Sequence, residues 1–172
     1  MRQTVYFDGV WTDNDPMVAD AGSAWVLIYQ RAYLQEMGVR WSDPNQSQWA
    51  DRYGDKFQRA DSALTALTGA SQWHAAGAGG LTRDDLADLK AAVAGRRPTI
   101  LLTRAGDLDQ FGLIDGHAYT VLAVNPDGRG GATVTLRNPW GSDGPVKQGA
   151  DDGVITLSWD VVRGTTQGFV VA

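Results

Sequence analysis

GHAYTVLAVNPDGRGGATVTLRNPWG, residues 116–141, is the stretch whose reading decides the fold. Two alternating apolar and polar runs flank the turn-rich segment NPDGRGG, which is the signature of a β-hairpin. Centring the hairpin on Asp127-Gly128 sets Tyr119 against Leu136, Val121 against Val134 and Ala123 against Ala132, so that one face is wholly apolar. The other face pairs Thr120 with Thr135 and Leu122 with Thr133. A slip of one residue mixes Tyr119 and Val121 with threonines or Arg137, and register follows the buried face. In the centred register His117 lies opposite Asn138, with Cβ atoms about 4.5–5.5 Å apart. An amide oxygen at that position accepts a hydrogen bond from one imidazole nitrogen and aims the other outward, as the orienting member of a nucleophile–base–orienter triad does. The plainer alternative stays open, in which His117 is a half-buried strand histidine and Asn138 a turn residue before Pro139.

Working outward, strands are expected over Thr99 to Thr103, Gly153 to Trp159 and Phe169 to Val171, beside the two hairpin strands. Thr82 with Asp85 reads as a capping box ahead of a helix whose apolar face is Leu86, Leu89, Ala92 and Val93, ended by Gly95 and Pro98. A short helix is expected near Ser62 to Leu67, stopped at Gly69, and residues 69–80 read as a Gly- and Ala-rich surface loop. Towards the N-terminus, Gln3 to Phe7 reads as a strand ended by Asp8-Gly9. Ser23 caps a helix with Trp25, Ile28, Tyr29, Ala32 and Tyr33 at helical spacing up to Gly38, and the segment from Arg40 to Lys56 is polar, aromatic and irregular. The expected architecture is a single α+β domain over residues 1–172, a mostly antiparallel sheet with a few helices.

Composition narrows the function classes. A net charge of -5 with no basic face leaves no electrostatic footprint for nucleic acid. The longest apolar runs, such as Trp25 to Ile28, are far too short to span a membrane. The absence of cysteine rules out disulfides, thiolate metal sites and a cysteine nucleophile within these 172 residues. MRQTVYFDGV carries no secretory apolar region, and its immediate entry into a strand suggests a chain that begins inside a larger protein. The compartment stays open between the cytoplasm and export as part of a larger bacterial-type protein.

Gly116-His117-Ala118-Tyr119, followed after the hairpin by Leu136-Arg137-Asn138-Pro139-Trp140-Gly141, resembles the calpain family of cysteine proteases. The likeness extends more faintly to AWVLIYQRAYLQ (24–35), to ALTG (66–69), and to the run from Asp152-Gly153 through Trp159 towards Phe169. It implies the second lobe of a papain-like core, with His117 as general base and acid, Asn138 orienting it, and Trp140 shielding their hydrogen bond from water. It further implies a partner, the lobe bearing the cysteine in a Gly-Asp-Cys-Trp setting, of which nothing occurs here, so that this chain alone is expected to be inactive towards its protein or peptide substrate. Calcium is the family's cation. Asp143, Asp151 and Asp152 are available to it, but Val154 stands where the family has a glutamate, and no cofactor is expected.

Other features are read more plainly. His74 is a lone loop histidine, and Asp13, Asp15 and Asp20 lack the offsets of a calcium loop. Trp25 and Trp159 suit core packing, while Trp11, Trp41, Trp49 and Trp73 are candidates for substrate contact or lobe docking. Asp115 tunes His117 or simply forms a turn. Three functions compete: one half of a calpain-like endopeptidase, a non-catalytic calpain-like binding or regulatory module, and an unrelated tryptophan-rich module that binds glycans. Without the first lobe, the face presenting His117 and Trp140 is expected to be apolar and open to self-association.

Overall fold

Alternation of apolar residues with threonines makes the C-terminal two thirds of the chain a sheet. The computed structural model describes residues 60–147 and 149–172, which belong to one compact unit. The expected strand at Gln3 to Phe7, the helix after Ser23, the irregular segment from Arg40 to Lys56, the Asp13–Asp20 loop, and Trp11, Trp25, Trp41 and Trp49 lie outside the described residues.

The described elements run in chain order as α1 (Ala60–Thr68), β1 (Gln72–Ala75), α2 (Arg83–Ala94), β2 (Thr99–Thr103), a 3-10 turn (Asp109–Phe111), β3 (Ala118–Pro126), β4 (Ala132–Arg137), β5 (Val154–Ser158), α3 (Trp159–Thr165) and β6 (Thr166–Val171). The six strands form one sheet in the order β1-β6-β2-β3-β4-β5, and every neighbouring pair is antiparallel. The class is therefore α+β. Among the described residues no helix is long and apolar enough to cross a membrane.

Each helix has a local cause. Thr82 Oγ1 accepts the Asp85 N–H and Asp85 Oδ2 accepts the Thr82 N–H, a complete capping box at the start of α2. From this start Leu89 and Ala92 point inward onto β2 and β3. The helix ends at Ala94 with Gly95 as its C-cap, as expected, and the left-handed residue Arg96 (φ 54) follows. Ser158 Oγ accepts the Val161 N–H and begins α3, so the expected strand from Gly153 ends at Ser158 and Trp159 opens a helix. Residues 72–75, read as loop, form edge strand β1 against the end of β6. The main core joins Leu89 of α2 with Leu101, Tyr119, Leu136 and Phe169 from four strands and with Leu81 just ahead of α2, and Trp159 is buried against them.

The 116–141 hairpin forms in a different register from the centred one. Asp127 Oδ1 accepts the N–H groups of Arg129 and Gly131, each at 2.8 Å, and closes a loop centred on Arg129. A Cβ on Gly131 would lie 2.4 Å from Asp127 Oδ2, so this closure needs glycine there. Pro126 consequently pairs with Ala132, and Val124 with Val134. A bulge at Leu122 then adds one residue to β3, and Val121 pairs with Leu136. Leu122 is turned to solvent at 44% exposure, and Val124 takes the inward place expected of Ala123. Beyond the bulge the shift from the centred register is two residues, which preserves the face of every side chain.

Two substitutions test the described core. Leu89→Ala is expected to cost about 2–5 kcal/mol through the cavity it leaves. Thr82→Ala is expected to cost about 1 kcal/mol by undoing the cap. Both should lower the urea midpoint while leaving the slope of the transition unchanged.

Candidate active site

His117 sits just before β3, and the last residue of β2 holds its backbone. Thr103 Oγ1 accepts the His117 N–H at 2.8 Å and donates to the Ile114 carbonyl at 2.7 Å, while the Thr103 N–H donates to the His117 carbonyl at 2.9 Å. Thr103 is fully buried. The turn before it is made by exposed Asp115 and by Gly116 in a left-handed conformation (φ 58). The imidazole packs edge-on against Tyr119, with ring centroids 5.0 Å apart. Tyr119 Oη accepts the Ile114 N–H at 3.0 Å, which ties the same turn to the core.

Asn138 follows β4 and is 1% exposed. Its backbone N–H donates to the Gly153 carbonyl at 2.7 Å, and its carbonyl accepts the Gly141 N–H at 3.2 Å. Its side chain is bonded as well: Nδ2 donates to the Ser142 carbonyl at 3.0 Å, and Oδ1 accepts the Trp140 N–H at 3.1 Å. These two backbone partners decide which end of the amide is which, because an N–H only donates and a carbonyl only accepts. Oδ1 lies 3.0 Å from His117 Nε2. Nε2 must therefore be the donor, and neutral His117 carries its proton on Nε2 and presents Nδ1 as the basic nitrogen. Among the described residues Nδ1 makes no hydrogen bond.

The His117–Asn138 contact is diagonal rather than directly cross-strand. Continuing the observed pairing one step past β4 sets Asn138 level with Tyr119, and Trp140 lies in the turn that the Gly141 N–H closes on the Asn138 carbonyl. Diagonal neighbours on one face stay within reach of long side chains. The Trp140 ring lies 4.5 Å from the imidazole, tilted by 51°, and is itself 58% exposed. The structure thus brings together the three residues singled out in the sequence, by a register other than the one that first suggested it.

The loop between Asn138 and β5 is held by its own aspartates. Asp143 Oδ1 accepts the Gly153 N–H at 2.9 Å, Asp151 Oδ1 accepts the Asp143 N–H at 2.8 Å, and Asp152 Oδ1 accepts the Val154 N–H at 3.0 Å. Asp151 also pairs with Lys147, which holds its carboxyl below the usual range. These oxygens are aimed at amides and an ammonium group, an arrangement that does not fit the converging oxygen ligands a calcium ion needs. Among the described residues no group of three or more His, Cys, Asp or Glu is placed to hold a metal.

His74 lies on β1 rather than in a loop, stacked on Phe169 at 4.4 Å and facing Asp88 at 3.6 Å. Trp73, on the same strand, has its ring over Gly168, where an added Cβ would come within 2.5 Å of it. Thr103, Ser142 and Gly153, which hold His117 and Asn138 in place, had no signal in the sequence. Ser142 and Gly153 act through their backbone carbonyls, and Thr103 through both its hydroxyl and its N–H, each brought into place by sheet pairing or loop closure.

Three measurements test this geometry. Nitrogen-15 NMR of His117 should show the Nε2–H tautomer at neutral pH, and Asn138→Ala should abolish that preference. The same substitution leaves the Trp140 N–H and the Ser142 carbonyl unpartnered and should cost about 1–3 kcal/mol. Burial pushes the Tyr119 phenol above its ordinary 10.0, with the Ile114 hydrogen bond acting in the opposite direction. Because the fold favours the neutral phenol, this contribution is complete below the ordinary tyrosine pKa and is lost as pH rises through the raised one. Denaturation from about pH 8 to about pH 11 should show wild type losing stability more steeply than Tyr119→Phe.

No family model matches the chain, and no curated protein matches it.

Proposed function

We propose that this chain is the His- and Asn-bearing part of a calpain-like cysteine endopeptidase, with residues 60–172 forming the second lobe of a papain-like core. The observation that carries the reading is the 3.0 Å hydrogen bond from His117 Nε2 to Asn138 Oδ1, with Trp140 against the ring and Nδ1 without a hydrogen bond among the described residues. A strand histidine with only a packing role needs neither a buried amide acceptor nor a chosen tautomer.

In this reading the nucleophile comes from outside these 172 residues, since they contain no cysteine. His117 Nδ1 takes the thiol proton, and the imidazolium formed beside it stabilises the thiolate. Asn138 Oδ1 holds the Nε2–H through this change and keeps the ring aimed. The thiolate attacks the scissile carbonyl carbon, the carbon–nitrogen bond breaks, and the Nδ1 proton passes to the leaving amine. Nδ1 then takes a proton from the water that attacks the thioester carbonyl, and protonates the departing thiolate. Trp140 limits water around the His117–Asn138 bond, where a drier setting strengthens it.

The test begins with the coding sequence upstream of residue 1. A segment with a cysteine in a Gly-Asp-Cys-Trp-like setting, co-expressed with this chain, should restore cleavage of a fluorogenic peptide that neither piece cleaves alone. His117→Ala should then lower kcat/KM by roughly 10²–10⁴-fold, the usual share of a positioned acid–base group. Absence of such a segment, or cleavage indifferent to His117, sinks the peptidase reading and leaves a binding module that retains the His–Asn hairpin.

A further inference from the structure

The segment that leads into His117 and the segment that leaves Asn138 touch at a second place. The first begins at Gly112, which closes the 3-10 turn in a left-handed conformation (φ 73) and donates its N–H to the Asp109 carbonyl at 2.8 Å. The second meets it through Gly144 and Val146. A Cβ on Gly144 would lie 2.7 Å from the Gly112 carbonyl oxygen, and one on Gly112 would lie 3.2 Å from the Val146 carbonyl oxygen. Gly112 is buried.

Glycine at 144 answers to that contact and not to its own backbone. Its φ lies outside the left-handed region, so its conformation is open to alanine. What excludes a side chain is the Gly112 carbonyl, and neither partner can yield cheaply. Leu113, beside Gly112, is 1% exposed. Ile114 is bonded through its N–H to Tyr119 Oη and through its carbonyl to the Thr103 hydroxyl. On the other side Pro145 fixes its own φ and restricts the residue before it. The Asp143 N–H, next to Gly144, is held by Asp151 Oδ1 at 2.8 Å.

Both segments are tied to the candidate site. The Thr103 hydroxyl that accepts the His117 N–H donates to the Ile114 carbonyl, so one group holds the turn and the histidine. The Ser142 carbonyl, close in sequence to Gly144, accepts Asn138 Nδ2. The separation of the segments at Gly112 and Gly144 therefore bears on the 3.0 Å between His117 Nε2 and Asn138 Oδ1. A methyl at 144 has to part them by about half an ångström to reach ordinary contact. The same displacement at the site takes the hydrogen bond beyond its usual range of roughly 2.7–3.2 Å.

We infer that Gly144 is a positioning residue for His117: its bare Cα lets the loop after Asn138 seat on the Gly112 carbonyl, and that seating keeps Asn138 Oδ1 within bonding distance of Nε2. The inference deepens the peptidase reading and rests on it only for the effect on cleavage.

The full chain labelled with nitrogen-15 histidine tests this through the His117 ring shifts at neutral pH. In Gly144→Ala the excess of the Nε2–H tautomer should fall by roughly three- to tenfold, the share of one net hydrogen bond, with the amide shifts of α2 and β6 in place. Gly79→Ala is the control, because a Cβ there would meet nothing within 4 Å, and it should leave the ratio unchanged. Val146→Gly, at an exposed position, loosens the same seat without a clash and should move the ratio the same way by a smaller factor, so the test decides even if Gly144→Ala fails to fold. An unchanged ratio in Gly144→Ala, or in Val146→Gly where only that variant folds, overturns the inference, as does an equal change in Gly79→Ala. A lower urea midpoint with the tautomer unchanged marks a role in stability alone and overturns it too. In the reconstituted peptidase, Gly144→Ala should lower kcat and kcat/KM together, and cleavage equal to that of wild type overturns the inference. The tautomer measurement needs no cysteine, so it decides the role of Gly144 even where the peptidase reading fails.

Discussion

The side-chain amide of Asn138 is the constraint on which the rest of the candidate site depends. Buried at 1% exposure, it has to bond its oxygen and its nitrogen inside the protein, and it does so with the Trp140 N–H, the Ser142 carbonyl and His117. That requirement shapes the loop after β4. It also sets the tautomer of His117, because the Trp140 N–H and the Ser142 carbonyl fix which end of the amide faces the ring. A hydrogen bond between two side chains has thereby become a statement about which nitrogen is basic.

The hairpin shows how a site tolerates an error in register. Slipping the strands by two residues leaves every side chain on its own face, whereas a slip of one would have carried His117 away from Asn138. The bulge at Leu122 lets the Asp127-closed loop take an odd number of residues while the apolar face stays continuous from Tyr119 to Val124. Loop closure and core burial make independent demands, and the bulge reconciles them.

Thr103, the last residue of β2, holds the backbone of His117. Gln167 on β6 bonds the Thr103 carbonyl, so two neighbouring strands meet at the point that supports the histidine.

By itself, the sequence determined the α+β class, the strands at 99–103 and 132–137, the Thr82–Asp85 capping box and the placement of His117 and Asn138 at the same end of the hairpin. All of these follow from local periodicity or from turn and cap chemistry. Only the tertiary structure decided the rest. The true register came from Asp127 bonding two amides across its own loop. Trp159 turned from strand to helix because Ser158 caps it, and His74 joined an edge strand because β6 offered it a partner. The support given by Thr103 and Gly153 comes from groups that strand pairing brings together, and that of Ser142 from the closure of the loop after β4. Side-chain patterning does not encode where a backbone carbonyl will lie until the sheet has brought it there.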